Sequence, residues 1–220
     1  MGQDELPSDL ERALGDLPVF PLPQAVLFPR ALLPLHIFEP RYRAMLAHCL
    51  ATHRGMVIAQ IAKDGELDEE GRPRFARIAG LGLIVQHRPL PDGRANIVLH
   101  GKARVALEER PTSEPFRRVR ATLLPDVGET VLDSDRTALI AIATAFATQL
   151  HKHADFDFTF PPNAPPDAVA DLCAQHLLFD ADVRQAVLEE RDVAARVRRV
   201  IAELAVQRQA LGSDGGGVLN

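Results

Sequence analysis

A chain of 220 residues, 46% hydrophobic and 25% charged, carries enough apolar material for one large domain or two small ones with an ordinary core. Its net charge of -5 argues against a protein built mainly to neutralise phosphates, because counterion release requires a basic surface, so nucleic acid is not the expected partner. No apolar run approaches the length of a membrane span, and Met1 to Asp16 is acidic where a secretory signal would be basic and then apolar; a cytoplasmic location away from membranes is expected.

The first sixteen residues are polar and are expected to be loosely ordered. Between Leu17 and Phe38, prolines recur at positions 18, 21, 23, 29 and 34. Proline cannot donate to a β ladder, so these segments are expected as edge strands or extended connections, not at the centre of a sheet. Pro40 suits a first helical turn. Tyr42, Met45, Leu46, Cys49 and Leu50 then follow at i, i+3, i+4, i+7 and i+8, giving an amphipathic helix from about Pro40 to Thr52. After Gly55 the run MVIAQIA is strand-like, Lys63 to Pro73 is loop-like, and Phe75 to His87 is strand-like again. Leu90-Pro91-Asp92-Gly93 reads as a hairpin turn, since Asp-Gly tolerates positive φ. Beyond it, Ile97, Leu99, Val105 and Leu107 share odd parity, and Val119, Ala121 and Leu123 repeat the alternation, so antiparallel β structure is expected to dominate the first ~125 residues.

After Asp126 the period changes to a helical one. Leu139, Ile140, Ala143, Phe146, Ala147 and Leu150 form one apolar face, and Val169, Leu172, Cys173, His176 and Leu177 form another. Asp180 and Asp192 stand where N-caps belong, the second opening a helix with Ala195, Val197, Val200, Ile201 and Leu204 on its apolar side. Cys49 and Cys173 fall in helical apolar patterns and read as core thiols. The expected organisation is a flexible segment 1–16, a β domain 17–126, a helical domain 127–211 and a flexible Gly-rich tail 212–220.

The stretch from Leu17 to Met45, LPVFPLPQAVLFPRALLPLHIFEPRYRAM, resembles the opening of the Lon protease substrate-binding domain. The similarity continues through Phe75-Ala-Arg-Ile-Ala-Gly-Leu-Gly-Leu-Ile, LPDGRANIVLHGKARVAL and LEERDVAARVRRVIAEL, covering roughly Leu17 to Leu211. The resemblance implies an α+β fold: a PUA-like antiparallel β pseudobarrel with one inserted helix, then an α-helical bundle, together binding unfolded or exposed polypeptide segments. The family's full-length protease also carries a P-loop ATPase and a Ser-Lys peptidase. Here the Gly101-Lys102 pair is followed by Ala103 instead of Ser or Thr, and Asn96 stands where the first P-loop glycine belongs. None of Ser8, Ser113, Ser134 and Ser213 sits in a GxSxG elbow. The expectation is a stand-alone, non-enzymatic, ATP-independent binder of polypeptide clients with no cofactor. Such a module can present clients to a separate protease, shield them or act as a scaffold.

From Ala31 to Phe38, Leu33, Leu35 and Ile37 lie on one strand face and Leu32, Pro34, His36 and Phe38 on the other. Either both faces are buried, or the second forms an apolar groove for peptide side chains beside an edge broken by proline. With Arg41 as a polar anchor, Leu32, Pro34, His36, Phe38 and Arg41 are the candidate peptide-binding residues. Glu39, Arg41 and Arg43 bracket the helix start, where a carboxylate suits the exposed amides and arginine can clamp it. His151, His153, Asp155 and Asp157 form the rival site, since in an extended chain they would share a face and suit a transition metal in a hydrolase. A helix through His153 would instead set the two imidazoles about 200° apart. That favours a solvated helix end and no metal. Arg191, Arg196, Arg198 and Arg199 give the last helix a basic face, expected to be solvated and not an RNA site.

Overall fold

The computed structural model describes residues 6–62, 66–68, 70–128, 130–151, 158–161 and 163–214. The chain divides into a first unit, Met1–Pro125, and a second, Asp126–Asn220. The first contains α1 (Ser8–Arg12), β1 (Leu17–Leu22), β2 (Leu32–Ile37), α2 (Pro40–Ala51), β3 (Gly55–Gln60), β4 (Ile78–Pro89), β5 (Ala95–Arg110) and β6 (Arg117–Leu123). The second contains α3 (Asp133–His151), α4 (Pro166–Leu177), α5 (Ala181–Glu189) and α6 (Val193–Asp214).

The six strands run in the order β2-β5-β4-β3-β1-β6, and β6 pairs again with β5, so five of them close into a ring. Strand β5 makes this possible by its length. Its first part, Ala95–His100, carries β2, while Val105–Arg110 carries β6. Side chains at alternate positions point into the ring: Leu17 and Val19, Val57 and Ala59, Ala79 and Leu81, Val105 and Leu107, Val119 and Ala121. Leu123, of the same parity in β6, is exposed because it lies at the strand's end. All pairings are antiparallel except β1 with β3.

Two expectations about the N-terminal part change. Strand β1, despite Pro18 and Pro21, lies between β3 and β6. Its partners overlap only at Val19: β6 pairs Leu17–Val19 and β3 pairs Val19–Leu22. Each proline therefore has a ladder on one side only, as an edge residue does. The segment before β1 also forms structure, with α1 over Ser8–Arg12. Leu10, on α1, is fully buried in the ring's core against Gly55, and Asp16 accepts a hydrogen bond from Arg118 Nε at 2.8 Å. The signal for this segment was Leu6, Leu10, Ala13 and Leu14 at i, i+4, i+7 and i+8, which all belong to or pack on that core.

The connection from β1 to β2 is pressed onto the sheet. Val26, Leu27, Phe28 and Ala31 are buried. A Cβ on Gly80 would lie 2.0 Å from the Leu27 carbonyl oxygen, and one on Gly101 would lie 1.9 Å from that of Phe28. Arg30 N–H donates to Gly101 O and Gly101 N–H donates to Ala31 O, each at 2.8 Å. The chain thus enters β2 already joined to β5. Helix α2 follows with Glu39 at its N-cap and Pro40 in its first turn; it packs on β1 and β2 through a buried face of Tyr42, Met45, Leu46 and Cys49.

In the second unit, Asp180 caps α5 by accepting from Asp182 N–H and Val183 N–H, and Asp192 Oδ1 accepts from Ala195 N–H at the start of α6. The buried faces include Leu139, Ala143 and Phe146 of α3, Val169 and Cys173 of α4, and Val197, Val200 and Leu204 of α6. His176, placed on the α4 face by spacing, is exposed. The basic face expected on the last helix is divided. Arg198 and Arg199 are exposed, but Arg196 is fully buried. Its Nη atoms grip both Asp126 carboxylate oxygens at 2.9 and 2.7 Å, and its Nε lies 3.2 Å from buried Asp171. A guanidinium completely removed from water requires such counter-charges, which excludes Arg196 from any RNA surface. Among the described residues, no helix is long and apolar enough to cross a membrane.

Gly101→Val is expected to lower stability by about 3 kcal/mol, since backbone must move to admit the side chain; urea unfolding followed by circular dichroism measures it. Arg196→Leu leaves the Asp171 carboxylate buried without its cation and is expected to cost about 3–5 kcal/mol in the same assay.

Candidate functional site

The outward face of β2 is exposed. Leu32 and Phe38 are 54% and 58% accessible, and Pro34 and His36 between them are also exposed, whereas Ile37 on the opposite face is buried. Leu32 at the start of β2 and Phe38 just past its end thus mark out a row of alternate exposed residues, Leu32, Pro34, His36 and Phe38. The His36 and Phe38 rings stack at 6.0 Å and 20°.

Cross-strand register extends this row into a three-stranded surface. Pro34 lies opposite Val98 and Val98 opposite Gln86; His36 lies opposite Asn96 and Asn96 opposite Arg88. These six residues line a groove of about 550 Å³. His36 Nδ1 lies 2.6 Å from Asn96 Oδ1, and Arg94 Nη1 lies 3.5 Å from His36 Nε2. A neutral ring protonated on Nδ1 satisfies both, donating to the amide oxygen and accepting from the guanidinium.

Strand β2 also ends the sheet. Among the described residues no strand pairs with its far side. Gly101 N–H donating to Ala31 O sets the ladder's parity, so Leu33, Leu35 and Ile37 address β5 while Leu32, Pro34 and His36 turn their backbone polar groups to the open edge. Pro34 falls where its missing N–H removes no bond to β5. The edge can still bond to an extended chain through the backbone of Leu32 and His36.

Arg41 stands at the start of α2, exposed, with its guanidinium 2.9 Å from the Glu39 carboxylate and 4.6 Å from the Tyr42 ring centroid. Glu39 occupies the N-cap position but makes no side-chain cap bond, and Arg41 clamps its carboxylate instead. Of the rival metal residues, His151 is the exposed last residue of α3, and His153, Asp155 and Asp157 lie outside the described residues. Among the described residues no group of three His, Cys, Asp or Glu is arranged to hold a metal. Gln86, Arg88, Asn96 and Val98 escaped the sequence reading. The signal for them was the hairpin at Asp92-Gly93, whose register carries Arg88 to Asn96.

Residues 16–206 match the family model described as the ATP-dependent protease La (LON) substrate-binding domain. The chain belongs to that family. It is 26% identical over 200 residues to a Lon protease of Roseiflexus castenholzii, covering 89% of this chain and 24% of the relative. It is 25% identical over 204 residues to Lon protease 2 of Herpetosiphon aurantiacus, with 89% and 24% covered. The chain thus spans about a quarter of the length of the curated relatives it matches. Among solved structures, the Lon N-terminal domain protein of Xanthomonas campestris superposes with a TM-score of 0.63 at 22% identity, covering 85% of this chain and 97% of that one. The N-terminal domain of the Mycobacterium avium complex Lon protease gives 0.62 at 17%, covering 86% and 98%. These likenesses give the Lon N-terminal domain fold, a mixed α/β arrangement of a six-stranded sheet and helices. Substrate recognition is the role that the family's description names.

Both thiols of this Lon-family domain, Cys49 and Cys173, are fully buried, and burial pushes each up to about 12. Neither forms an attacking thiolate near neutral pH. A thiol reagent added to the native chain is expected to label neither cysteine over minutes, and both after urea unfolding, as read by intact mass.

Proposed function

We propose that this domain binds unfolded or exposed polypeptide segments without ATP, using the outward face and open edge of β2. Leu32, Pro34, His36 and Phe38 take up client side chains, and Arg41 borders the site beside Glu39. The observation that carries this reading is the pair of half-exposed apolar side chains, Leu32 at the start of β2 and Phe38 just past its end, beside a strand edge that has no partner among the described residues. A client strand would gain apolar contact from the face and backbone bonds from the edge, and only a few of its side chains would be buried, so affinity is modest. In this reading the ring of strands is the PUA-like pseudobarrel that the family resemblance implies, and α3 to α6 are its helical bundle. The domain recognises without catalysing, and presenting clients to a separate protease is the use that such binding serves.

The test is fluorescence anisotropy with a labelled, permanently unfolded polypeptide, comparing wild type with a Leu32→Asp, Phe38→Asp variant whose circular dichroism is unchanged. Burial of one such side chain stabilises a complex by about 1.5–3 kcal/mol, so the double variant is expected to bind at least about tenfold more weakly. Equal binding by the folded variant overturns the site, and absence of binding by the wild type overturns the function.

A further inference from the structure

Resting on that reading of the site, we infer that the preferred client segment carries acidic side chains next to its apolar ones, and that these carboxylates seat against Arg88 and Arg43 at the hairpin end of the groove. The chain as a whole is acidic, at -5, yet this end is not. Arg88 lies in the cross-strand row with Asn96 and His36 and lines the groove. Arg43, on α2, lays its guanidinium over the turn: a Cβ on Gly93 would fall 2.2 Å from its Nη2. Arg94, in the same turn, contacts His36 and pairs with Asp92 at 2.5 Å, while Arg41 pairs with Glu39. Those two arginines are neutralised by neighbours. Among the described residues, neither Arg43 nor Arg88 has a carboxylate partner.

Two unneutralised cations, Arg88 on the groove wall and Arg43 over the hairpin turn, sort clients more than they hold them. A carboxylate arriving next to a buried leucine or phenylalanine meets a guanidinium, while a lysine at the same place meets like charge and partial desolvation. Each exposed pair contributes little alone, so the apolar contacts supply affinity and the arginines supply the ranking among clients. Polypeptide is favoured over nucleic acid as the source of the negative charge: the exposed rings of His36 and Phe38 stack on each other, and the chain as a whole is net acidic, which disfavours a polyanion.

The experiment uses the full chain and three labelled 12-residue peptides, acetylated and amidated so that no terminal carboxylate contributes. All share the same leucines and phenylalanines and differ at two flanking positions, occupied by Asp, Asn or Lys. Anisotropy titration is expected to rank them Asp, then Asn, then Lys, with about fivefold between steps, the gap closing at high salt. Arg88→Glu, checked for an unchanged fold, is expected to reverse the order of the Asp and Lys peptides. Equal affinities for the three, an order untouched by Arg88→Glu, or tighter binding of a 12-nucleotide RNA than of the Asp peptide overturns the charge preference while leaving apolar recognition standing. Failure of all three peptides to bind overturns both.

Discussion

The backbone of Leu27 and Phe28 lies directly on the backbone of Gly80 and Gly101, so close that any other residue at either glycine would place carbon inside a carbonyl oxygen. Much of the first unit follows from that contact. It leaves one route from β1 to β2, with Leu27 and Phe28 facing inward, and it ties Arg30 and Ala31 to Gly101 before the strand begins. The register of β2 on β5 is thereby set at its first residue, and with it which of two apolar faces turns outward. A slip of one residue would exchange the exposed Leu32, Pro34 and His36 for the partly or wholly buried Leu33, Leu35 and Ile37.

Strand β5 divides its labour along its length. Its second half closes the ring around a core of small and medium aliphatic side chains, with Leu10 among them. Its first half extends past that core to carry β2 and one wall of the groove. That first half also holds the fold through buried Ala95, Ile97 and Leu99, while Asn96 and Val98 between them lie on the face that lines the groove. The apolar groups proposed to meet a client are already in water and contribute little to holding the fold together.

Features governed by local period were legible in the sequence. The helix beginning at Pro40 ends within a residue of where its apolar spacing stops, the Asp-Gly hairpin forms, and Asp180 and Asp192 cap helices as their positions suggest. Features governed by distant partners were not. Proline in β1 suggested an edge because the rule supposes a neighbour on each side at the same residue, and β1 has neighbours that take turns. Arg196 looked like three other arginines near it until Asp126 and Asp171 were brought up to it. Glycines within the strand-like runs at Gly80 and Gly101 announced a close approach without saying what approaches. The apolar alternation from Leu32 to Phe38 was likewise plain, but alternation cannot say whether a face is covered. Gln86, Arg88 and Asn96 are ordinary polar residues, and only pairing across β4 and β5 makes them one surface.

The grip of Arg196 on Asp126 has a consequence for the order in which the chain can take shape. Seventy positions separate the two, and Asp171 lies between them in sequence. As the chain emerges from a ribosome, both carboxylates appear before the guanidinium that they meet in the folded unit, and the Arg196 contribution to offsetting their removal from water comes last. Helices α3, α4 and α5 are complete in sequence by this time, but the ion pairs that join Asp126 and Asp171 to α6 are not yet available. The buried charge cluster of the second unit is therefore completed only by the first turn of α6, near the end of the chain.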